Sequence, residues 1–256
     1  MSFPFSTSDV PVVGFQCWRN LLFIHWPVPA AALRRLVPRQ LELDLYDGQA
    51  YVSLIPFVVI ESRPRGWPSA LALQFLETNL RTYVRSADGG AGIFFFSLDA
   101  SSLTAVAAAR LLYGLPYFPA VMSMRTEGAR TEYSVRRQGA RDAQLEVDWV
   151  LGEPAGRALA GTLDHFLIER YNLYVRRRGS IYRGRVIHQP YPLREVTIEH
   201  LSETLLGAAS LPAPIGPPLY HYSPGVDVDI CWLERMGLRE PRQVSANVLG
   251  RRRAMN

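Results

Sequence analysis

Lysine is absent from the sequence, and all 28 of its basic side chains are arginines. This absence excludes a Schiff base on a lysine amine and the lysine of a phosphate-binding loop. Cysteine is scarce as well, since Cys17 and Cys231 are too few for a disulfide framework and have no metal-binding spacing. Because both cysteines lie among apolar residues, we expect two buried free thiols.

Long apolar runs are also missing. The longest, residues 92–100, is interrupted by Ser97 and Asp99 and is far shorter than the ~20 residues that span a bilayer. The N-terminal stretch MSFPFSTSDVPVV has neither the basic nor the apolar region of a secretory signal. No serine-hydrolase, phosphate-loop or dinucleotide-binding signature is present. We therefore expect a cytoplasmic protein without a membrane partner.

The charge balance is basic, with a formal net charge of +5 and a pI of about 9.4. The arginines are scattered, apart from two runs at 176–178 and 251–253. No helix-turn-helix, zinc-finger or aromatic RNA-binding pattern accompanies them. Since a basic balance alone reports solubility and weak nonspecific attraction, the sequence does not favour a nucleic-acid partner.

Alternating, β-branched and aromatic segments predict more strands than helices. Strands are predicted over 14–25, 49–60, 73–85, 92–99, 180–189 and 227–235, with a three-strand meander over 119–150. Helices are predicted over 31–37, 103–113, 163–174 and 198–208, and an extended segment over 211–218. No repeat or linker divides the chain, so we expect one domain over 1–245 and a basic, disordered tail over 246–256.

Several segments together resemble the DUF2071, or YqjF-like, family of uncharacterised proteins. They are Leu21–Phe57, Leu76–Ala100, Leu111–Ala120, Phe166–Val175 and Gly184–Leu193. That family is similar to the acetoacetate decarboxylase superfamily. The resemblance covers roughly residues 14–235. It implies an α+β fold, a mainly antiparallel, cone-shaped β-barrel with a few external helices around a small-molecule cavity.

Acetoacetate decarboxylases carry a Gly-x-Pro-Lys stretch whose lysine forms the Schiff base. The matching stretch here is GLPY, which places Tyr117 at the position of the nucleophile. A phenol cannot form an imine, so Schiff-base decarboxylation is excluded by chemistry. The resemblance also places Glu77 like the cavity glutamate of that superfamily. Its first-strand arginine falls near Trp18 and Arg19, and the register between these two is left open.

Glu77, Asn79, Arg81 and Tyr83 alternate along one predicted strand and therefore share one face. Such a face is either solvated or lines a polar cavity, and the resemblance favours the cavity. There Arg81 would hold a carboxylate or carbonyl oxygen, and Glu77 would move a proton. Burial would raise the pKa of Glu77 whereas Arg81 would lower it, and the sequence does not decide between them. Tyr117 would supply an acid, or pack structurally.

Histidines at strand ends complete the candidate set. His25 and His188 are candidate substrate-binding residues or, alternatively, structural hydrogen-bonding residues at strand ends, and His221 shares their ability to titrate near neutrality. The spacing of histidines and acids predicts no metal site, and no cofactor is expected. Arg170 shares a predicted helical stripe with aromatic residues, so it is either a ligand clamp or a buried ion-pair partner.

Two functions follow from this set. The first is a cofactor-independent enzyme that acts non-covalently on a keto- or carboxylate-bearing substrate by enolisation, hydration or dehydration, cyclisation or decarboxylation. The second is a non-catalytic barrel that binds or senses a small molecule through the same residues. The resemblance also indicates a homo-oligomer, of a number that the sequence does not fix.

Overall fold

The computed structural model describes residues 10–140 and 142–237, and strands dominate that part of the chain. The strands are β1 Val12–Val28, β2 Leu41–Leu43, β3 Ala50–Pro64, β4 Leu73–Ser86, β5 Ala91–Ala100, β6 Tyr117–Glu127, β7 Arg130–Arg137, β8 Gln144–Gly156, β9 Asn172–Arg177, β10 Ser180–Ile187, β11 Leu193–Glu203, β12 Leu219–Cys231 and β13 Glu234–Arg235. The helices are α1 Ala30–Arg34, α2 Leu103–Tyr113, α3 Leu163–Ile168 and α4 Leu205–Ala208, with a 3₁₀ turn at Ser69–Leu71.

These strands form a single mainly antiparallel sheet that closes on itself twice. A seven-strand ring runs through β10, β9, β5, β4, β3, β1 and β12, and a nine-strand ring through β5, β6, β7, β8, β11, β12, β1, β3 and β4. The pairings of β5 with β6 and with β9 are parallel. The expected α+β class and the closed, mainly antiparallel sheet are confirmed.

The strands β12, β1, β3, β4 and β5 belong to both rings, so each presents one face to each interior. Alternate side chains of a strand point to opposite faces. Phe23, Phe57 and Tyr83 pack in one apolar cluster, on the side of the seven-strand ring. Leu54 and Leu80 pack in a second cluster, on the side of the nine-strand ring. Two separate cores therefore share one wall.

Local signals placed several elements correctly. Ser102 caps α2 by accepting a hydrogen bond from the Ala105 backbone N–H, and Gly114 ends the helix with φ +67°. The structure also confirms the predicted hairpin, which is formed by β4 and β5, and the predicted three-strand meander, which is formed by β6, β7 and β8. Cys17 and Cys231 are free and buried, as expected.

The helix predicted over 31–37 ends at Arg34, and two other helix predictions included residues that form strands. The helix capped by Thr162 ends at Ile168, and residues 172–177 form β9 instead. The segment 198–208 is strand β11 up to Glu203, with only α4 helical. In both cases the residues gain ladder hydrogen bonds, to β5 and β10 or to β8, which override the local 3.6-residue pattern. The basic tail predicted over 246–256 lies outside the described residues.

Candidate functional site

The polar face of β4 points into the seven-strand ring. Glu77 is 4% exposed, Arg81 6% and Tyr83 1%, and Asn79 is half-buried with its side-chain oxygen unpartnered. The alternative of a solvated sheet face is therefore wrong. Three ionisable or polar groups on one buried strand face require either protein partners or a ligand.

Glu77 forms one end of this face together with Tyr117. The parallel pairing of β5 with β6 brings Tyr117 beside it, and the phenol donates a hydrogen bond to Glu77 Oε2 at 2.9 Å. Burial raises the pKa of Glu77 to about 8 and outweighs this hydrogen bond, while Asp99 raises it further. Burial and Glu77 together raise the pKa of Tyr117 well above 10. Near neutral pH Glu77 is therefore mostly protonated, and Tyr117 keeps its phenolic proton.

Arg81 forms the other end of the face. It lies four positions after Glu77, about 13 Å along the strand, and burial, not Arg81, decides the Glu77 pKa. Its Nη2 donates to the Leu167 carbonyl at 3.1 Å, and its Nε is buried without a partner. Within the described residues no carboxylate lies within 4.0 Å of Arg81. A buried cation without a counter-charge is costly, which makes this guanidinium suited to an anion.

His25 lies in a hydrogen-bonded network beside Arg81. Its Nδ1 is 2.6 Å from Ser53 Oγ, which is 2.5 Å from the Tyr83 hydroxyl. Tyr83 in turn donates to the Leu167 carbonyl at 2.8 Å. Burial, His221 and Arg81 hold the pKa of His25 well below its usual range, so the ring is neutral. Its Nε2 is buried and unpartnered.

His188 follows the last residue of β10. Its ring packs between Tyr171 and Tyr191, with centroid distances of 4.7 Å to each. Nδ1 lies 2.8 Å from the Gln189 carbonyl, and Nε2 is buried without a partner. Burial lowers the pKa of His188 and outweighs the Gln189 carbonyl and the Glu169 carboxylate, which both raise it, while Arg81 lowers it further. The structure thus brings both predicted strand-end histidines into the field of Arg81.

Arg170 is placed differently from the prediction. It lies after α3 and not on a helical stripe, and its Nη1 forms a 2.7 Å ion pair with buried Asp44. The guanidinium stacks 4.2 Å from the Phe166 ring centroid and 5.2 Å from that of Tyr83. Arg170 therefore packs against Tyr83 and has a carboxylate partner, which it shares with Arg85, so it is the ion-pair partner that the sequence left open.

Trp18 and Arg19 do not supply a second cation. Arg19 pairs with Asp227 at the surface, at 2.6 Å, whereas Trp18 packs on Phe57 inside the ring. No three His, Cys, Asp or Glu side chains among residues 10–140 and 142–237 lie close enough together to hold a metal ion. In the same part of the chain, no helix has the length and apolar character needed to cross a membrane.

Sequence comparison identifies the family. The profile of DUF2071, described as an uncharacterized conserved protein, matches residues 15–227. The chain belongs to DUF2071. The uncharacterized protein YqjF of Bacillus subtilis (strain 168) is 39% identical over 214 residues, which are 83% of this chain and 88% of YqjF.

Solved structures share the fold of this DUF2071 protein at low identity. Acetoacetate decarboxylase from Legionella pneumophila has a TM-score of 0.59 and 13% identity, over 93% of this chain and 92% of that one. The enduracididine biosynthesis enzyme MppR complexed with pyruvate has a TM-score of 0.61 and 12% identity, over 91% and 93%. An acetoacetate decarboxylase-like enzyme from Sphingomonas wittichii RW1 has a TM-score of 0.60 and 15% identity, over 89% and 94%. These likenesses confirm the acetoacetate decarboxylase-like fold.

Some members of this site in the DUF2071 chain were not predicted. Ser53, Tyr191 and the Leu167 carbonyl all contact predicted residues. The sequence did contain a signal for Ser53, because it is the only serine or threonine in the apolar run 50–60. A backbone carbonyl gives no such signal, because only the placement of the chain after α3 brings it into the ring.

Proposed function

We propose that this DUF2071 protein is an enzyme that acts non-covalently on a small organic acid bearing a keto group. The observation that carries the proposal is Arg81, a buried guanidinium without a carboxylate partner, on the same ring-facing strand as Glu77. A guanidinium binds a carboxylate through two parallel hydrogen bonds, which would fix one end of the substrate.

Glu77 is the proton-transfer group in this proposal. With a pKa of about 8, roughly a tenth of Glu77 is ionised at pH 7 and the remainder is protonated, so it can either take or give a proton. In an enolisation, the Glu77 carboxylate takes a proton from the carbon next to the keto group. The electron pair of that C–H bond forms a carbon–carbon double bond, and the π pair of the carbonyl moves to the keto oxygen. Return of the proton to carbon or oxygen completes the step, with no covalent enzyme intermediate.

Tyr117 assists at the position of the decarboxylase lysine. Its hydroxyl donates to Glu77 Oε2, so it holds the carboxyl group and stabilises its ionised form. Tyr117 is therefore a positioning group for Glu77. This arrangement needs neither a lysine nor a bound cofactor, and the sequence contains no lysine.

Solvent-deuterium exchange tests the proposal. The C3 protons of pyruvate and of 2-oxo-4-phenylbutyrate are followed by ¹H NMR in D₂O with and without the protein. We expect catalysed exchange, and a loss of about 100-fold or more in Glu77→Gln because a positioned acid or base contributes roughly that factor. Glu146→Gln, at an exposed position of β8, is the matched control. Exchange at the uncatalysed rate with both acids would contradict an enolising enzyme.

A non-catalytic binding barrel is the second candidate. The observation that favours it is Tyr117, because the residue at the nucleophile position cannot attack a ketone while Arg81 keeps its buried place. In that case Arg81→Gln weakens the binding of 2-oxo-4-phenylbutyrate, Glu77→Gln leaves it unchanged, and neither protein catalyses exchange. Calorimetry beside the exchange assay separates the two functions.

A further inference from the structure

The hydrogen bonds around His25 fix which of its nitrogens carries the proton. The Leu167 carbonyl can only accept, so Tyr83 gives it its hydroxyl proton. Ser53 Oγ, 2.5 Å from that phenol, must then be the donor to Tyr83. With its single proton used, Ser53 accepts from His25, which places the proton on Nδ1. His25 Nε2 is therefore a bare, buried hydrogen-bond acceptor.

The same accounting applies to His188. Its Nδ1 faces the Gln189 carbonyl at 2.8 Å and must be protonated, since a carbonyl cannot donate. The neutral ring then has a bare Nε2, which is buried and unpartnered. Arg81 lies beside both rings: its guanidinium is 5.9 Å from the Phe23 ring centroid, and Phe23 contacts His25 directly and His188 through Tyr191. The interior thus combines one cation with two locked acceptors.

Among the buried arginines of the described residues, Arg81 is the one that has no carboxylate within 4.0 Å. The buried arginines among the described residues are Arg81, Arg137 and Arg170. Arg137 pairs with Asp99 and Arg170 with Asp44, which leaves Arg81 for the ligand. A second negative charge on the ligand would have no buried arginine to meet it. A plain carboxylate would satisfy Arg81 but would leave both imidazole acceptors without a hydrogen.

We propose that the Arg81 site selects a mono-anionic acid that also carries a hydrogen-bond donor, a hydroxyl, enol or N–H group, which it gives to His25 Nε2 or His188 Nε2. This selection rests on the proposed function, because Arg81 must hold the carboxylate. It also deepens that function. A 2-oxo acid has no donor next to its carboxylate, whereas its enol has one, so the same acceptors favour the enol over the keto form.

A matched series of ligands tests the selection by calorimetry at pH 7.5. The probes are 4-phenylbutyrate, 2-hydroxy-4-phenylbutyrate, 2-oxo-4-phenylbutyrate and the neutral 2-hydroxy-4-phenylbutyramide. We expect the hydroxy acid to bind about tenfold more tightly than 4-phenylbutyrate, the effect of satisfying one buried acceptor. The amide, which lacks the charge, should bind more weakly than the hydroxy acid.

The outcomes separate the two proposals. If 4-phenylbutyrate and 2-hydroxy-4-phenylbutyrate bind equally tightly, and Arg81→Gln weakens the binding of both, the anion site stands and the donor selection is overturned. If the neutral amide binds as tightly as the acid, or no acid binds, the anion site fails and the selection fails with it. Arg136→Gln, at an exposed position of β7, controls for the loss of a positive charge.

Histidine variants identify the acceptor. An asparagine amide keeps the donor at the Nδ1 position and removes Nε2, so His25→Asn or His188→Asn should abolish the hydroxyl preference while 4-phenylbutyrate still binds. His200→Asn, at an exposed position of β11, is the control. A preference that survives in both variants overturns the proposal. Because either variant can fail to fold, ¹⁵N NMR of the wild type gives a second test. Finding His25 and His188 both protonated on Nε2 would overturn it equally.

Discussion

Two buried arginines on opposite sides of the shared wall show how differently the two rings treat charge. Arg137, in the nine-strand ring, donates from Nε and Nη2 to both oxygens of Asp99 at 2.7 and 2.8 Å, and stacks 4.1 Å from the Phe118 ring centroid. Arg81, in the seven-strand ring, donates to a single backbone carbonyl. A buried charge with an ion-pair partner has a structural role. A buried charge without one is available to bind a ligand of opposite charge, but it lowers the stability of the fold.

The largest effect on stability is expected from breaking the buried ion pair of Asp99 and Arg137. Arg137→Met leaves the Asp99 carboxylate, which is fully buried, without its partner. We expect the free energy of unfolding to fall by about 3–5 kcal/mol, as for other broken buried pairs. Urea unfolding measures this, with Arg136→Met as the exposed control on the same strand. Equal stability of the two variants would show that the Asp99–Arg137 pair contributes nothing.

Glu77 should make stability depend on pH. Its folded pKa of about 8 lies above the unfolded value of 4.5, so the folded state binds more protons between these values. The stability contributed by neutral Glu77 is therefore complete below pH 4.5 and is lost as pH rises through 8. We expect wild type to lose on the order of 3 kcal/mol between pH 5 and pH 8 from this group alone.

Glu77→Gln should remove that loss, because its amide stays neutral at every pH. Thermal unfolding at pH 5 and pH 8 then gives a larger gain from Glu77→Gln at pH 8 than at pH 5. Glu146→Gln should show no such difference, since its side chain is exposed in both states. A Glu77→Gln gain that is independent of pH would mean that Glu77 is ionised in the folded protein.

Arg81→Met should behave opposite to Arg137→Met. The substitution removes an uncompensated charge from the ring and leaves Leu167 with its hydrogen bond from Tyr83. We expect stability to rise by about 1–2 kcal/mol while acid binding is lost, as when buried charges are replaced by apolar groups. Urea unfolding and calorimetry with 2-hydroxy-4-phenylbutyrate measure the two effects. A strongly destabilised Arg81→Met would show that a counter-charge for Arg81 exists in the folded chain.

The sequence predicted the polar face because its cause is local. The two-residue period of Glu77, Asn79, Arg81 and Tyr83 puts them on one side of any strand, and the family resemblance indicated which side is enclosed. The Asp99–Arg137 pair, which makes Arg81 stand out, was not predicted. It joins β5 to β7 by way of β6, and 38 residues separate its members in the chain.

The histidine network was out of reach for a related reason. His25 meets Ser53 through the register of β1 with β3, and Ser53 lies opposite Arg81 through the register of β3 with β4. A one-residue slip in either pairing would send these side chains to the other ring. Periodicity fixes the faces of one strand but not such registers. The position of the Leu167 carbonyl was also not predicted, because the helix predicted over 163–174 was too long.

The smallest expected effect concerns the outer edge of the histidine cluster. His221 stacks edge-on against His25, with 5.3 Å between ring centroids, and its Nε2 lies 3.1 Å from Asp164, a carboxylate that is 57% exposed. Burial lowers the pKa of His221, whereas Asp164 raises it. Asp164→Asn should therefore lower the His221 pKa further, as followed by NMR titration. The free energy of unfolding should change by less than about 0.5 kcal/mol, because exposed pairs contribute little. If Asp164→Asn lowered the free energy of unfolding as much as Arg137→Met does, an ion pair at the surface would contribute as much stability as one inside the rings.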